Sequence, residues 1–179
     1  MKLFRRRPKL PAAARPPLAA EERVLAWCAV AGEAASREDV VVATNHGIWL
    51  PSAAERLGWH EIHKAAWSGR ELRITPATAL AERDGYTVLV DGPDVSFLLL
   101  DPGELPDQVR SRVTRSVAYT TYHPLPGGAV RVVGRRVSGR DGLSWAVRYD
   151  AGTPADSPEI VDATGELVGA ARSAAEPRD

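Results

Sequence analysis

The strongest constraint on the fold lies between Val40 and Pro51. Val40-Val41-Val42-Ala43-Thr44 is a β-branched run too short for a stable helix, Asn45-His46-Gly47 carries turn chemistry, and Ile48-Trp49-Leu50 resumes as strand until Pro51. The same grammar recurs along the chain. Candidate strands are Val24 to Val30, Arg56 to Ile62, the alternating Leu72, Arg73, Ile74 and Thr75, Tyr86 to Val90 and Val95 to Leu99, the last two joined by Asp91-Gly92-Pro93-Asp94. Many short strands with tight connections predict an antiparallel barrel or sandwich.

A helix follows. Pro106 suits its first turn and Asp107 the positive end of its dipole, while Val109, Val113 and Val117 recur at helical spacing. β-Branched and aromatic residues from Val117 to Tyr122 predict a switch to strand. Tyr119 to His123 and Val130 to Val133 then flank Pro124-Leu125-Pro126-Gly127-Gly128 as a hairpin, and Leu143, Trp145, Val147 and Tyr149 alternate with polar or small residues as an amphipathic strand. A last helix begins at Ser157-Pro158, a cap followed by a first-turn proline, with Ile160, Val161, Thr164, Leu167, Val168 and Ala171 on one face. With 179 residues the chain buries enough surface to need no disulfide or metal staple. Its single cysteine, Cys28, sits in an apolar run and reads as a small core residue.

Net charge is zero but unevenly placed. Residues 1–17 carry six basic groups and no acid; 18–104 carry 7 basic and 14 acidic; 105–140 carry 7 basic and 1 acidic; 141–179 carry 3 basic and 8 acidic. The body is therefore not a uniformly basic nucleic-acid binder. Residues 1–17, punctuated by Pro8, Pro11, Pro16 and Pro17, read as a flexible basic tail. No apolar run approaches the roughly 20 residues of a membrane span, and no apolar segment follows the basic N-terminus as in a secretory signal, so a cytoplasmic protein is expected, with peripheral membrane contact open to it.

The stretches "VVVATNHGIWLP" and "RLGWHEIHKAAWSGRELRITPA", together spanning Val40 to Pro76 with few gaps, resemble a bacterial pleckstrin-homology-like domain of uncharacterised actinobacterial proteins. The order of about seven strands and a helix, through roughly Val117, also looks like that fold. The expected architecture is α+β and β-rich: a flexible tail at 1–17, a pleckstrin-homology-like (PH-like) antiparallel β-barrel with closing helix at 18–117, and at 118–179 an appended β-meander and C-terminal helix packed on the same body. The resemblance implies binding of proteins, peptides or lipids, although a fold does not fix a function.

The chemistry-bearing motifs point the same way. His60 and His63 form H-x-x-H, with His46 as a third imidazole, but on a strand positions 60 and 63 face opposite sides and no cysteine is close. G-x-S-x-G, G-x-G-x-x-G and G-x-x-x-x-G-K-[ST] are absent. Asp91, Asp94 and Asp101 read as turn residues, and Gly165 and Gly169 as a weakly helical spot. Arg110, Arg112, Arg115, Arg131, Arg135, Arg136 and Arg140 read as solubilising charge, with Tyr119 and Tyr122 the only interleaved aromatics for base stacking. The expected function is a non-enzymatic binding or adaptor module with a protein partner. A second contact, to an anionic membrane, is assigned to Lys2, Phe4, Arg5, Arg6, Arg7 and Lys9. No catalytic, cofactor-binding or metal residue is assigned, and no cofactor. A groove lined by one of the five tryptophans is the structural sign of that reading. The alternatives are a small hydrolase-like enzyme, whose sign is a concave pocket holding His46, His60 or His63 with a carboxylate, and non-specific nucleic-acid binding through the basic tail.

Overall fold

The valine run sets the first layer. The computed structural model describes residues 9–32 and 39–176. Within it, β1 (Val24–Ala29), β2 (Val40–Thr44), β3 (Gly47–Trp49) and β4 (Leu57–Gly58) form an antiparallel sheet in chain order. Every residue of β2 is buried, which explains an unbroken apolar run where a half-buried strand would alternate. One face of β2 places Val41 and Ala43 in a core with Ile48, Trp59, Ile62, Leu72, Ile74 and Leu99. The other face, Val40 and Val42 with Trp49, is covered by Leu10, Ala14 and Leu18. Part of the expected flexible tail at 1–17 is therefore ordered: a short 3-10 turn at Ala12–Ala14 and its flanks lie on the sheet, because two apolar faces need two covers.

Glu22 locks that cover in place. Its side chain is fully buried and accepts hydrogen bonds from Thr44 Oγ1 (2.6 Å), Trp49 Nε1 (3.0 Å), the Ala19 backbone N–H (3.1 Å) and Arg56 Nη1 (2.8 Å). Burial alone raises the pKa of this carboxyl, but the Thr44, Trp49 and Ala19 bonds and the Arg56 charge together outweigh it and hold the group below the ordinary carboxylate range.

The fourth expected strand, Arg56 to Ile62, is broken. β4 stops at Gly58, whose N–H donates to Glu61 Oε2 (2.7 Å), and Trp59–Glu61 form a 3-10 turn that sends the Trp59 indole N–H to Thr44 O (3.1 Å). Strand β5 (Ile62–Ser68) then pairs antiparallel with β6 (Glu71–Arg83).

The thirteen residues of β6 run through both halves of the molecule. β7 (Tyr86–Asp91) and β8 (Val95–Leu98) both pair antiparallel with β6, from Arg83↔Tyr86 to Glu71↔Leu98. They are thus one long partner strand interrupted at Gly92-Pro93-Asp94, where Gly92 N–H still donates to Pro76 O (2.8 Å). Past β8, the Val30↔Leu99 bridge joins this ribbon to the end of β1.

Helix α1 (Leu105–Ser116) buries Leu105 and Val109 in the first core and passes directly into β9 (Val117–Leu125) at Val117, where the sequence predicts the switch. β9, β10 (Gly128–Arg136) and β11 (Leu143–Tyr149) form the expected meander. This meander extends the existing sheet: β11 pairs with β7 in parallel, Ala146 opposite Thr87 and Val147 opposite Val88, in the order β5-β6-β7-β11-β10-β9. The sheet is therefore not purely antiparallel. It curls into a half-barrel, and the chain as a whole is α+β and strand-rich. Helix α2 (Pro158–Ala175), capped by Ser157, covers one face of the added strands, with Ile160, Val168 and Ala171 buried. Beneath it Trp145 packs edge-on against Tyr119 at 5.4 Å, and Tyr149 Oη–H donates to Thr164 Oγ1 (2.9 Å).

Removing the Glu22 carboxylate leaves Arg56 and Trp49 without their acceptor, while Thr44 Oγ1 keeps the Gly47 carbonyl. Glu22→Ala is expected to lower stability by about 1–3 kcal/mol in urea denaturation, the cost of leaving the buried Trp49 N–H unsatisfied while the partly exposed Arg56 turns to water. Because the folded pKa is depressed, the contribution of Glu22 is complete above its unfolded pKa and is lost as pH falls through the folded value. The difference between wild type and variant therefore shrinks in acid.

Candidate functional site: an arginine-lined cleft

Side-chain alternation divides the added strands into two faces. Val130 and Val132 of β10, Trp145 and Val147 of β11, and Tyr86 and Val88 of β7 point to α2. Arg131, Val133 and Arg135, with Ala146 and Arg148, and Leu89, take the other face, where they line a cleft of about 260 Å³ completed by His63, Val117 and Thr120. The curl of the sheet brings β5, at one end of the strand path, back towards β10.

A bulge aims His63, and plain alternation along β10 aims Arg135. His63 is the extra residue where the β5–β6 register shifts between Ile62 and Lys64, and Arg135 lies at the shift in the β10–β9 register. Arg135 Nη1 donates to Ile62 O (2.9 Å) and to Ser116 Oγ (3.1 Å), so one guanidinium ties β10 to β5 and to the end of α1. Its burial, and then the neighbouring Arg148 charge, lower its pKa below the usual arginine value. It stays protonated all the same, since a guanidinium does not lose its proton in a protein.

Asp91 is the carboxylate that meets these groups. Its Oδ1 accepts from His63 Nδ1 (2.8 Å) and from Arg148 Nη2 (2.8 Å). Only 3% of the His63 side chain is exposed, against 54% for Asp91 and 40% for Arg148, so the imidazole is the inner member and the carboxylate the rim. With Nδ1–H committed to Asp91, the neutral ring presents Nε2 as an acceptor. Desolvation lowers the His63 pKa, and the nearby Arg148 and Arg135 charges push the same way; the Asp91 bond opposes them without prevailing. The Asp91 carboxyl is held low, first by the His63 hydrogen bond and also by the Arg148 charge, against its own partial burial.

Arg131 stands directly opposite Arg148 in the β10–β11 register. Like charges in cross-strand positions repel. Asp91 relieves Arg148, whereas Arg131 is stacked over the Tyr122 ring, 5.4 Å from its centroid, with Tyr122 itself donating to Asp150. The cleft thus gathers three guanidiniums, of which Arg148 alone is paired with the Asp91 carboxylate at the rim. Chemically it can receive an anion; the lining residues offer Thr120 as their one hydroxyl.

Of the three histidines singled out in the sequence, only His63 is in this cleft. His46 sits in the β2–β3 turn, and half-buried His60 sits in the 3-10 turn, where burial lowers its pKa. Among the described residues no three His, Cys, Asp or Glu side chains gather as a metal-ligand set. Sequence reasoning assigned Asp91 to a turn and Arg131 and Arg135 to solubility; Asp91 instead ends β7 with its carboxylate on His63 and Arg148, Arg135 is tied to Ile62 and Ser116, and Arg131 is exposed. The usable signal was the parity of Arg131 and Arg135 on one strand and Arg148 on the polar face of the next. Of the residues assigned to membrane contact, Lys9 is exposed, and Lys2, Phe4, Arg5, Arg6 and Arg7 lie outside the described residues. A second concavity, about 460 Å³, lies between α1 and β5 and is lined by Ala65, Trp67, Leu72, Pro106, Val109 and Arg110 among others. No protein-family model matches this chain, and neither a curated protein nor a solved structure shows significant similarity to it.

The His63 environment yields a direct check. Its ring protons are expected to titrate below the ordinary histidine value in NMR, and lower still in Asp91→Asn, which removes the one group raising it. A His63 pKa unchanged or raised in that variant contradicts the contact.

Proposed function

We propose that this chain is a non-enzymatic binding module and that an anionic group of its ligand enters the arginine-lined cleft. The observation that carries this reading is the charge inventory: Arg131, Arg135 and Arg148 face a cleft in which Asp91 is the neighbouring carboxylate. Guanidiniums hold oxyanions through planar, charge-assisted hydrogen bonds. Arg131 makes no hydrogen bond to another described side chain in the cleft, so it is ready to donate. The PH-like resemblance of Val40 to Pro76 supports a binding role for the scaffold. The concavity lined in part by Trp67 supports a protein partner.

A small hydrolase is the second reading, favoured by one observation. His63 is oriented by Asp91 inside a cleft, as a general base is held in a catalytic pair. It requires Thr120 or a bound water as nucleophile, and it predicts that His63→Ala abolishes turnover of an ester substrate while leaving anion binding in place.

For the leading reading, titration of the labelled protein with sodium sulfate, against sodium chloride at equal ionic strength, is expected to shift amides of β7, β10 and β11. Arg131→Ala combined with Arg148→Ala is expected to weaken those shifts at least about tenfold, the loss of one or more charge-assisted hydrogen bonds, with little change in Tm because a repelling pair is removed as well. Shifts scattered over the surface, or unaffected by the double substitution, refute the cleft as the anion site.

The N-terminal basic residues belong to the same proposal as a contact with anionic membrane. Full-length chain is expected to float with anionic vesicles at low and at physiological salt, and a chain lacking residues 1–9 is expected to stay behind at both; this cut spares Leu10, Ala14 and Leu18, which cover the Trp49 face. Flotation of both chains assigns the contact elsewhere, and flotation of neither at physiological salt removes it.

A further inference from the structure

The cleft carries a second level of information: how much negative charge it is built to receive, and how large a body can accompany it. We propose that its ligand is a phosphomonoester on a small soluble organic body. This rests on the reading of the cleft as an anion site and goes further by naming the anion.

Charge is the first argument. Three guanidiniums against the single Asp91 carboxylate leave two positive charges when His63 is neutral. A carboxylate ligand offsets one and leaves the other facing its neighbours, whereas a phosphomonoester carries about −1.5 to −2 at pH 7 and three acceptor oxygens. Geometry is the second. Arg131 and Arg148 lie opposite one another on adjacent strands, so one multi-oxygen anion between them converts a repelling pair into a clamp. Arg148 gives Nη2 to Asp91 and Arg135 gives Nη1 to Ile62 and Ser116, which fixes both guanidiniums before any ligand arrives. Preorganised donors lose little freedom on binding.

Size and polarity are the third. At about 260 Å³ the cleft is smaller than the roughly 300–1,000 Å³ typical of drug-sized ligands. Its apolar walls are Leu89, Val117, Val133 and Ala146, which suit a few carbon atoms beside the charged head. The residues that build the cleft come mainly from β7, β9, β10 and β11, with His63 the contribution of β5.

The test uses the full chain in calorimetric and NMR titrations with glycerol 3-phosphate, inorganic phosphate, succinate and acetate at constant ionic strength, and with phosphatidate vesicles. Glycerol 3-phosphate is expected to bind at least tenfold more tightly than acetate or succinate, to shift the amides of β10 and β11, and to lose about tenfold or more in affinity in Arg131→Met. Arg131→Lys, which keeps the charge but not the fork, is expected to recover only part of it. Succinate or acetate binding as tightly as glycerol 3-phosphate overturns the phosphoryl inference and leaves the anion cleft standing. Inorganic phosphate binding more tightly than glycerol 3-phosphate overturns the organic body. Binding to phosphatidate vesicles with none to the soluble phosphates overturns the soluble ligand. If sulfate and every probe leave β10 and β11 unmoved, the anion cleft itself falls.

Discussion

One pairing constrains everything else: β6 held along its whole length by β7 and β8 as a single interrupted partner. At its first residues β6 is flanked by β5 and β8 and belongs to the core beneath α1. At its last residues its partner β7 offers a free edge, and β11 takes that edge in parallel. An unpaired edge of apolar strand is a liability in water. Covering it with β11 is what converts the segment after α1 from an appendage into a continuation of the sheet. Gly92-Pro93 permits the change of course, because Pro93 has no N–H to donate to the ladder.

The curl that follows creates both the cleft and its electrostatics. A sheet bent until β10 approaches β5 must satisfy the polar groups at the meeting point, and Arg135 does this with the Ile62 carbonyl and the Ser116 hydroxyl. The bulge at His63 in β5 and the one in β9 opposite Arg135 supply extra twist, and the first turns His63 inward.

Glu22 and the arginine cluster show opposite treatments of charge. Glu22 is fully buried, and four donors meet its two oxygens, so it is a closed structural knot that ties residues 19–22 to β2, β3 and Arg56. The arginines are held from one side only. Like charges face each other across β10 and β11, and the single carboxylate is shared between a histidine and one arginine. Such an arrangement costs stability in the free protein, and an anion is the group that offsets it.

Local signals in the sequence determined much of the fold. The β-branched runs placed β1, β2, β3, β7, β8 and β10, the Pro-Asp opening and valine spacing placed α1, the Val117 switch placed β9, and Ser157-Pro158 placed α2, because each depends on residues adjacent in the chain. Arg56 to Ile62 misled, since its break comes from the Trp59 indole reaching Thr44, a contact fifteen residues away. The site was less legible still. His63, Asp91, Arg135 and Arg148 are separated by up to 85 positions and meet only because β11 pairs with β7 and the sheet curls. Sequence by itself settled most of the strands and the apolar face of each, through periodicity, but not the break at Gly58 or the strand β5 that follows it. Only tertiary structure decided which polar faces confront one another, because strand order and curvature follow from long-range pairing that no local pattern encodes.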